Sequence, residues 1–362
     1  MSIGPYLFAL AAPQLVKLLK KFFTTLKEQP PKAAKGKEKP KEHKLYANAV
    51  IGKFVTCNKG FANVLKGIPK TVEDYLRRPS PSKSLNIVIA APPGSGKSFL
   101  VKQLSEAVRT SFKDEPKVVF DEYHVAAMTD VEDLIDCFRR IQSHNLEGKV
   151  PIVFFDEADA QVGGHQIFAH LLAPMADGKF YHRGHANCLG KAVLVFAGSS
   201  LFVTDPNTPK PRTKKSQTGA TRLPDYKTWA DKQEAALKRR LRGKNATEKL
   251  SDFGDRIDII VCVPSIRMKL RDGDRDDDLK ALALLLVKKH FENVNKVEFA
   301  AAQALMAMLL QAASIRQGES TIFLSTAPRD DTFTFANLPQ TVQTQCQKFT
   351  HAARGCYYVL VK

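Results

Sequence analysis

Cysteine is scarce in this chain, and its spacing shows no disulfide or metal-binding framework. The 362 residues include six cysteines, at positions 57, 137, 188, 262, 346 and 356, and no two form a C-x-x-C pair. A disulfide scaffold or a zinc ribbon is therefore excluded as the basis of the fold. Cys346, His351 and Cys356 lack a second pair of ligands. We expect reduced thiols, as in a cytoplasmic protein, with Cys137 and Cys262 in the core because apolar residues surround them.

Long uncharged hydrophobic runs are also lacking. Residues 1–16 carry no charge, but this stretch is shorter than the ~20 residues that cross a bilayer, and no basic residue precedes it as in a signal peptide. Apolar residues then recur at helical spacing up to residue 26, with lysines between them. A basic amphipathic helix is predicted over residues 1–26. Three interpretations stay open: a helix that binds a partner or another copy of the chain, a helix that lies on a membrane, and a helix that packs onto its own domain. The expected location is cytoplasmic, with membrane association under the second interpretation.

Acidic residues are in deficit, and the excess of basic residues is concentrated in two segments. The chain has 55 Lys and Arg against 37 Asp and Glu, a formal net charge of +18. Residues 17–44 hold ten Lys and three Glu, hence +7, and residues 210–244 hold twelve Lys or Arg and three acidic residues, hence +9. These segments are candidate contacts for an anionic protein or nucleic acid, and solvated flexible tracts give the same count.

The chemistry of the chain is indicated by the sequence APPGSGKS at residues 91–98. An apolar run precedes it at 85–90, and a helix-like run follows it at 99–104. Strand, glycine-bearing loop, Lys-Ser and helix form the context of a phosphate-binding P-loop, where backbone N–H groups and the helix N-terminus bind phosphate oxygens. In such a loop Lys97 reaches the β and γ phosphates, and Ser98 holds Mg²⁺.

One position departs from the general pattern G-x-x-x-x-G-K-[ST]. Ala91 stands where that pattern begins with Gly, so we expect Ala91 to keep a negative φ, which a methyl group tolerates. The residues predicted to bind the nucleotide are Pro93, Gly94, Ser95, Gly96, Lys97, Ser98 and Phe99.

A second motif ends another apolar run. Residues 151–155 read Pro-Ile-Val-Phe-Phe and are followed by Asp156 and Glu157. After a P-loop, a carboxylate at the end of a buried strand places Mg²⁺, and the next carboxylate orients and polarises the attacking water. We predict these roles for Asp156 and Glu157. An apolar run ending in two acids is a weak signal alone and a strong one after a P-loop.

Five apolar runs alternate with helix-like stretches. The strand candidates are residues 85–90, 117–120, 151–155, 192–197 and 257–263. This alternation predicts an α/β fold with a five-stranded parallel sheet, helices on both faces, and ligands at the C-terminal ends of the strands. The predicted organisation is an amphipathic helix at 1–26, a basic flexible linker at 27–44, a lead-in segment at 45–84, a nucleotide-binding domain at 85–264 with a basic insertion at 201–250, and an α-helical lid and C-terminal segment at 265–362.

These motifs resemble those of the AAA+ ATPases, and locally those of the Clp-type unfoldase branch. The sequence LLAPMADGKF at residues 171–180 is similar to the hairpin that precedes the sensor 1 strand in that branch, and residues 193–200 resemble that strand. The resemblance implies that Ser199 or Ser200 contacts the γ-phosphate or the attacking water. It also implies ATP hydrolysis with Mg²⁺ at the interfaces of a homo-oligomer, either a hexameric ring or a helical assembly.

Two arginines have counterparts in the same family. The sequence DFGDRIDII at residues 252–260 resembles the segment F-x-x-R-[IF]-D, which implies that Arg256 is an arginine finger acting on the neighbouring subunit. The alternative is a surface ion pair of Arg256 with Asp255 or Asp258. Arg316 resembles the sensor 2 arginine of the lid, which implies contact with the phosphates.

Two features depart from the unfoldase branch. No aromatic-hydrophobic-Gly pore loop lies between the second and third predicted strands, where the nearest substitutes are Tyr123, His124, Val125 and Met128. Residues 201–250 form an insertion that is proline-rich and then basic. Its cluster of Arg239, Arg240 and Arg242 is a rival arginine finger or a contact for nucleic acid.

Other nucleotide-binding classes fit less well. Residues 156–159 spell Asp-Glu-Ala-Asp, as in RNA helicases, but only 99 residues follow the fifth predicted strand and they read as helices rather than a second RecA-like domain. A G protein needs an Asn-Lys-x-Asp base reader, and none is visible. The sequence therefore predicts an AAA+ ATPase that remodels a protein or nucleoprotein. The alternative is an ATP-operated oligomeric switch or scaffold with slow hydrolysis that binds nucleic acid through the basic insertion.

Overall fold

A computed structural model of the chain describes residues 41–46, 49–79, 83–112, 117–198, 201, 224–242, 248–265, 268, 275–312, 315–346 and 356–361. The predicted amphipathic helix, most of the predicted linker and part of the predicted insertion lie outside the described residues. These residues form two compact units. Residues 48–275 form one, and the other joins the residues up to 47 with those from 276 onwards.

Strands and helices are numbered in chain order. The strands are β1 (Lys41–Tyr46), β2 (Ala49–Ile51), β3 (Phe54–Thr56), β4 (Leu85–Ala90), β5 (Lys117–His124), β6 (Lys149–Asp156), β7 (Gln161–Val162), β8 (His165–Gln166), β9 (Lys179–His182), β10 (His185–Cys188), β11 (Val193–Ala197), β12 (Ile259–Cys262), β13 (Lys296–Glu298), β14 (Thr332–Phe333) and β15 (Cys356–Val361). The helices are α1 (Lys59–Leu76), α2 (Lys97–Ser111), α3 (Val131–Leu146), α4 (Phe168–Asp177), α5 (Tyr226–Leu241), α6 (Glu248–Asp255), α7 (Arg275–His290), α8 (Phe299–Ala312), α9 (Ile315–Phe323) and α10 (Gln340–Cys346).

A five-stranded sheet forms the core of the unit that contains residues 48–275. Its strand order is β12-β4-β11-β6-β5, and every neighbouring pair is parallel. Strands β4 and β11 are buried along their whole length, whereas the edge strand β5 is partly exposed. Continuous apolar runs are typical of strands covered on both faces. The predicted α/β fold, with helices around a five-stranded parallel sheet, is confirmed.

A chain of aromatic contacts ties three of these strands to helix α6. Tyr123 on β5 stacks on Phe155 of β6, with 5.8 Å between ring centroids, and Phe155 stacks on Phe196 of β11 at 5.5 Å. Phe196 meets the edge of Phe253 in α6 at 5.4 Å. Such pairs stabilise by roughly 0.5–1.5 kcal/mol beyond their area burial. They fix the strand that ends at Asp156 relative to the helix that precedes Arg256.

Local sequence signals explain where the flanking helices begin. Helix α3 starts at a capping box, in which the Asp130 carboxylate accepts from the backbone N–H of Asp133 and the Asp133 carboxylate accepts from that of Asp130. Hydrogen bonds from Thr129 and Asp130 lower the pKa of Asp133. Helix α1 begins where the Asn58 side chain accepts from the backbone N–H of Phe61 at 2.7 Å. It is 18 residues long, and none of the described helices is long and apolar enough to cross a membrane.

The unit that contains the C-terminal residues has a sheet that the sequence reasoning missed. Its strand order is β1-β15-β13-β14, with β1 parallel to β15 and β15 antiparallel to β13. Residues 41–44 therefore belong to a strand, although we predicted a flexible linker there. Residues 296–298 are likewise a strand, although the predicted α-helical segment at 265–362 covers them. The predicted helical character of this region is confirmed in α7, α8 and α9, whereas β13, β14 and β15 correct an all-helical description.

Candidate nucleotide-binding site

The glycine-bearing loop connects β4 to α2 with the backbone geometry of a P-loop. Gly94 and Gly96 have φ values of +70° and +86°, which residues with a side chain rarely adopt. Ala91 is fully buried and is not among the residues with positive φ, so its methyl group is accommodated as predicted. Helix α2 starts directly after Gly96, so its N-terminal N–H groups face the loop.

Two polar groups of the loop have no partner among the described residues. The Ser95 hydroxyl is buried without a hydrogen bond, although a buried hydroxyl normally has one. The Lys97 ammonium makes no hydrogen bond or ion pair with any described side chain. An oxyanion fits these two groups, because it accepts from a hydroxyl and an ammonium at once. The Phe99 ring is 38% exposed and lies 6.4 Å from the Phe54 ring, so the structure places Phe99 at the surface beside the loop.

The two predicted metal-binding residues are in contact. The Ser98 hydroxyl donates to Oδ2 of Asp156 over 3.0 Å, and Oδ1 of Asp156 accepts from the backbone N–H of Glu157, also over 3.0 Å. Neighbouring oxygen ligands of an octahedral Mg²⁺ with bonds of 2.0–2.1 Å stand about 2.9 Å apart. The hydroxyl and carboxylate therefore fit adjacent ligand positions of Mg²⁺, or one position and a bridging water.

Glu157 has an uncommon backbone conformation. Its φ is +56°, and Arg183 is the other described residue besides glycine with a positive φ. A left-handed conformation costs a side-chain-bearing residue roughly 1–2 kcal/mol. Hydrogen bonds on either side hold it, since Ala158 N donates to the Ala197 carbonyl and Ala160 N donates to the Glu157 carbonyl, each at 2.8 Å. Strain of this kind concentrates at functional sites, and the Glu157 side chain is exposed to solvent.

Asp159 is a residue near the site that the sequence reasoning missed, because it is the last residue of the Asp-Glu-Ala-Asp stretch and has no predicted role of its own. A Cβ atom built on Gly198 would overlap the Asp159 carboxylate. A side chain at position 198 would therefore require the Asp159 carboxylate to move. Gly198 directly follows β11 and precedes Ser199 in the chain, so Asp159 joins the end of the Asp-Glu motif to the end of the predicted sensor strand.

Arg256 is not held by the acids beside it. Asp255 pairs with Arg242, and Asp258 pairs with Lys83 at 2.7 Å. The alternative of a surface ion pair between Arg256 and either acid is therefore not what the structure shows. The guanidinium donates through Nη1 to the Asp252 carbonyl at 2.6 Å, and its Nε is buried without a hydrogen-bond partner among the described residues.

Asn86, inside β4, fixes the backbone at Arg256 and is a second residue that sequence reasoning missed. Its side-chain amide donates to the Arg256 carbonyl at 2.9 Å and to the Met175 carbonyl at 3.1 Å. Its Oδ1 accepts from the Ser84 hydroxyl at 2.7 Å. The signal was available, because a polar residue in a fully buried strand must have partners.

The side chains of the remaining predicted residues are not among those that the structure describes. Ser199 and Ser200 lie outside the described residues. Arg316 belongs to helix α9 in the other unit, and only its backbone is described. The predicted hairpin before the sensor strand is present as β9 and β10, which pair antiparallel after α4.

The five-stranded parallel sheet, the glycine-bearing loop and the hydrogen bond between Ser98 and Asp156 define a P-loop nucleotide-binding domain of the α/β class. Residues 87–210 match the model of the ATPase family associated with various cellular activities (AAA). The P-loop and the Asp-Glu motif therefore both lie in a segment that is similar to the AAA ATPase domain. The matched residues include most of β4, the glycine-bearing loop that follows it, and the Asp-Glu motif.

Solved structures with similarity to the chain are remote. They include Hsp104 in its closed state with ATPγS and FITC casein, at 12% identity and a TM-score of 0.47, covering 72% of this chain and 43% of that one. NtrX from Brucella abortus in complex with ATP shows 14% identity and a TM-score of 0.43, covering 93% of this chain and 63% of that one. This chain therefore spans less than two thirds of either protein. No curated protein sequence matches this chain.

Proposed function

We propose that this chain hydrolyses ATP with Mg²⁺ at the interface between two copies of itself and uses the energy to remodel a macromolecular partner. The observation that carries the proposal is the 3.0 Å hydrogen bond between Ser98 and Asp156. It brings together the two motifs that bind and hydrolyse a triphosphate, although 58 residues separate them in the chain.

Within one chain, each group of the site has a distinct task. The P-loop N–H groups, the Ser95 hydroxyl and the Lys97 ammonium bind phosphate oxygens. Ser98 and Asp156 would hold Mg²⁺, which when bound neutralises charge that develops on the phosphates. Glu157, exposed at the end of β6, accepts a hydrogen bond from the attacking water and orients it. Ser199 or Ser200 and Arg316 stay the proposed sensors of the γ-phosphate.

Arg256 supports a site that two chains share. Its backbone lies beside Asn86, near the start of β4, whereas the P-loop follows Ala90 at the end of that strand. Four strand residues span about 13 Å, and the loop adds further distance. The backbone of Arg256 therefore lies at the opposite end of β4 from the P-loop of its own chain, which supports a contact of its side chain with the phosphates of a neighbouring copy. We propose that it stabilises transition-state charge there, which contributes ~10³–10⁵ in rate for such arginines. A ring or a helical oligomer provides this head-to-tail contact.

One observation favours the slow-switch alternative over polypeptide threading. Tyr123, the nearest aromatic substitute for a pore loop, is stacked on Phe155 in the core, and burial raises the pKa of its hydroxyl. Val125 is fully buried. Neither side chain is free to grip a substrate. Turnover that a partner accelerates supports remodelling, whereas slow turnover that no partner changes supports a switch.

The test uses two variants with opposite expectations. Lys97→Ala should abolish binding of a fluorescent ATP analogue, whereas Lys102→Ala, on the same helix and paired with Glu122, should not. Glu157→Gln should bind ATP normally, lose turnover by ~10²–10⁴, and trap an ATP-bound oligomer in size-exclusion chromatography. Full ATP affinity in Lys97→Ala, or unchanged turnover in Glu157→Gln, would refute the assignment. Proteins retained by the trapped form identify the partner.

A further inference from the structure

We propose that the outer face of helix α5 binds the phosphate backbone of a nucleic acid without regard to sequence. The surface is a strip of Thr228, Lys232, Ala235 and Arg239, called here the basic strip. These positions follow each other by four, three and four residues, so they lie on one side of the helix. All four side chains are exposed. Ala235 between the two cations and Thr228 beside Lys232 are small, which leaves room for a strand to approach.

The opposite face of α5 fixes the helix on its own domain. The residues buried on that face are Tyr226, Trp229, Gln233, Leu237 and Leu241. The Tyr226 hydroxyl donates to the Cys262 carbonyl at 2.7 Å, and the Asp225 side chain caps the helix by accepting from the backbone N–H of Thr228 at 2.8 Å. The basic strip is therefore held at a defined position and does not need to order itself on binding.

The two cations of the strip lack acidic partners. Elsewhere on α5, Lys238 pairs with Glu234 at 2.6 Å, and Arg242, just after the helix, pairs with Asp255. Lys232 and Arg239 form no ion pair with any residue that the structure describes. The chain before α5 adds five Lys or Arg and no acidic residue between residues 210 and 222. Lys232 and Arg239 thus present positive charge that no described residue pairs, and the sequence before the helix adds further basic residues.

The chemistry of the strip favours a nucleic acid over a protein or a membrane. Large hydrophobic side chains exposed in the described part of the chain are Val64, Phe99, Leu146, Tyr181, Phe323 and Leu324, and none is on α5. Protein interfaces usually have an apolar or aromatic centre. A helix that lies on a membrane needs a free apolar face, whereas that of α5 is buried against its domain. A phosphodiester backbone requires cations alone and releases counterions on binding.

The test is fluorescence anisotropy with a labelled 30-nucleotide single strand of DNA, the same sequence as RNA, and the DNA duplex, without ATP and over a range of salt. Lys232→Ala/Arg239→Ala should weaken binding roughly 10- to 100-fold at 0.1 M salt and reduce the log–log salt slope by about 0.7–0.9 per lost contact. A second set of sequences should give the same losses. Comparison of the three probes shows whether the protein binds single-stranded DNA, RNA or duplex DNA most tightly.

The control removes the same charge elsewhere. Lys149→Ala/Lys289→Ala deletes two lysines that pair with Glu147 and Glu319, and it should retain the wild-type affinity and slope. Melting temperatures of both variants check folding. Equal binding by the strip variant and the control would overturn the proposal, as would tighter binding to polyglutamate or to phosphatidylglycerol vesicles than to any nucleic acid. If Arg239→Ala abolishes ATP turnover and leaves nucleic-acid binding intact, Arg239 belongs to a rival arginine finger and the proposal fails. Since binding is measured without ATP, loss of the hydrolysis proposal would leave this test unaffected.

Discussion

The hydroxyl of Ser98 donates a hydrogen bond to Oδ2 of Asp156 over 3.0 Å. Ser98 is the second residue of α2, and Asp156 is the last residue of β6, two strands away from β4 in the sheet. The parallel arrangement brings the C-terminal ends of these strands to the same edge. The contact is therefore a direct result of the sheet order, and it creates the oxygen pair that suits Mg²⁺.

Replacement of Ser98 tests this oxygen pair. Ser98→Ala removes the hydroxyl and should reduce Mg²⁺-dependent ATP affinity by about tenfold or more, because one ligand or hydrogen bond to a charged group is worth ~1.5–3 kcal/mol. Ser98→Thr keeps the hydroxyl and should restore affinity. Titration of ATP with Mg²⁺ and with EDTA measures the effect. If Ser98→Ala loses affinity equally in both conditions, the hydroxyl does not act through the metal.

Two substitutions of Glu157 distinguish the effect of its left-handed backbone on stability from the effect of its carboxylate on turnover. Glu157→Asn places a residue that tolerates φ > 0 at this position, so its melting temperature should equal or exceed that of Glu157→Ala. Both variants should lose ATP turnover, because neither retains the carboxylate. Thermal denaturation and phosphate release are measured on the same preparations. A lower melting temperature for Asn than for Ala would argue that φ at 157 is not positive in solution.

Two glycines give a matched pair of substitutions. Gly198→Ala should destabilise the fold by ~1–3 kcal/mol because the new methyl group meets the Asp159 carboxylate. Gly67→Ala, in α1 with open space around it, should stabilise by up to ~1 kcal/mol because alanine favours the helix. Asp159→Ala/Gly198→Ala should recover part of the loss. Chemical denaturation measures all three, and no recovery in the double variant would remove Asp159 as the cause.

Cysteine reactivity follows burial. Burial raises the pKa of Cys137 and of Cys262 to about 12, so little thiolate exists at either position up to about pH 9. Cys188 is exposed. Alkylation by iodoacetamide at pH 8, followed by peptide mapping, should modify Cys188 first and the two buried thiols only after unfolding. Early modification of Cys137 or Cys262 in folded protein would contradict the packing described here.

Much of the nucleotide-binding unit was predictable because its signals are local. Strand β4, the loop and α2 are contiguous in the chain, and continuous apolar runs identify the buried strands. A buried polar residue such as Asn86 indicates that it has partners, but which partners Asn86 and Asp159 contact was not predictable in this way, because each partner lies far along the chain. Asn86, for example, contacts Arg256 across 170 residues.

The sheet in the other unit escaped prediction for a different reason. Strand β1 is rich in lysine and reads as a solvated tract, and it is ordered by pairing with β15, more than 300 residues later. Strand β13 has three residues and runs directly into α8, so the helical pattern hides it. Pairing between distant segments leaves no periodic signal in either segment alone.

The central claim is that two chains build one hydrolysis site, and mixing two inactive variants tests it most directly. Arg256→Ala keeps its P-loop and lacks the guanidinium, whereas Lys97→Ala keeps the guanidinium and cannot bind ATP. In a one-to-one mixture assembled at random through head-to-tail contacts, roughly a quarter of the sites would be complete. Steady-state phosphate release should therefore be negligible for each variant alone and return to about that fraction of the wild-type rate in the mixture. A mixture as inactive as its components, under conditions where the two chains demonstrably assemble, would contradict the account.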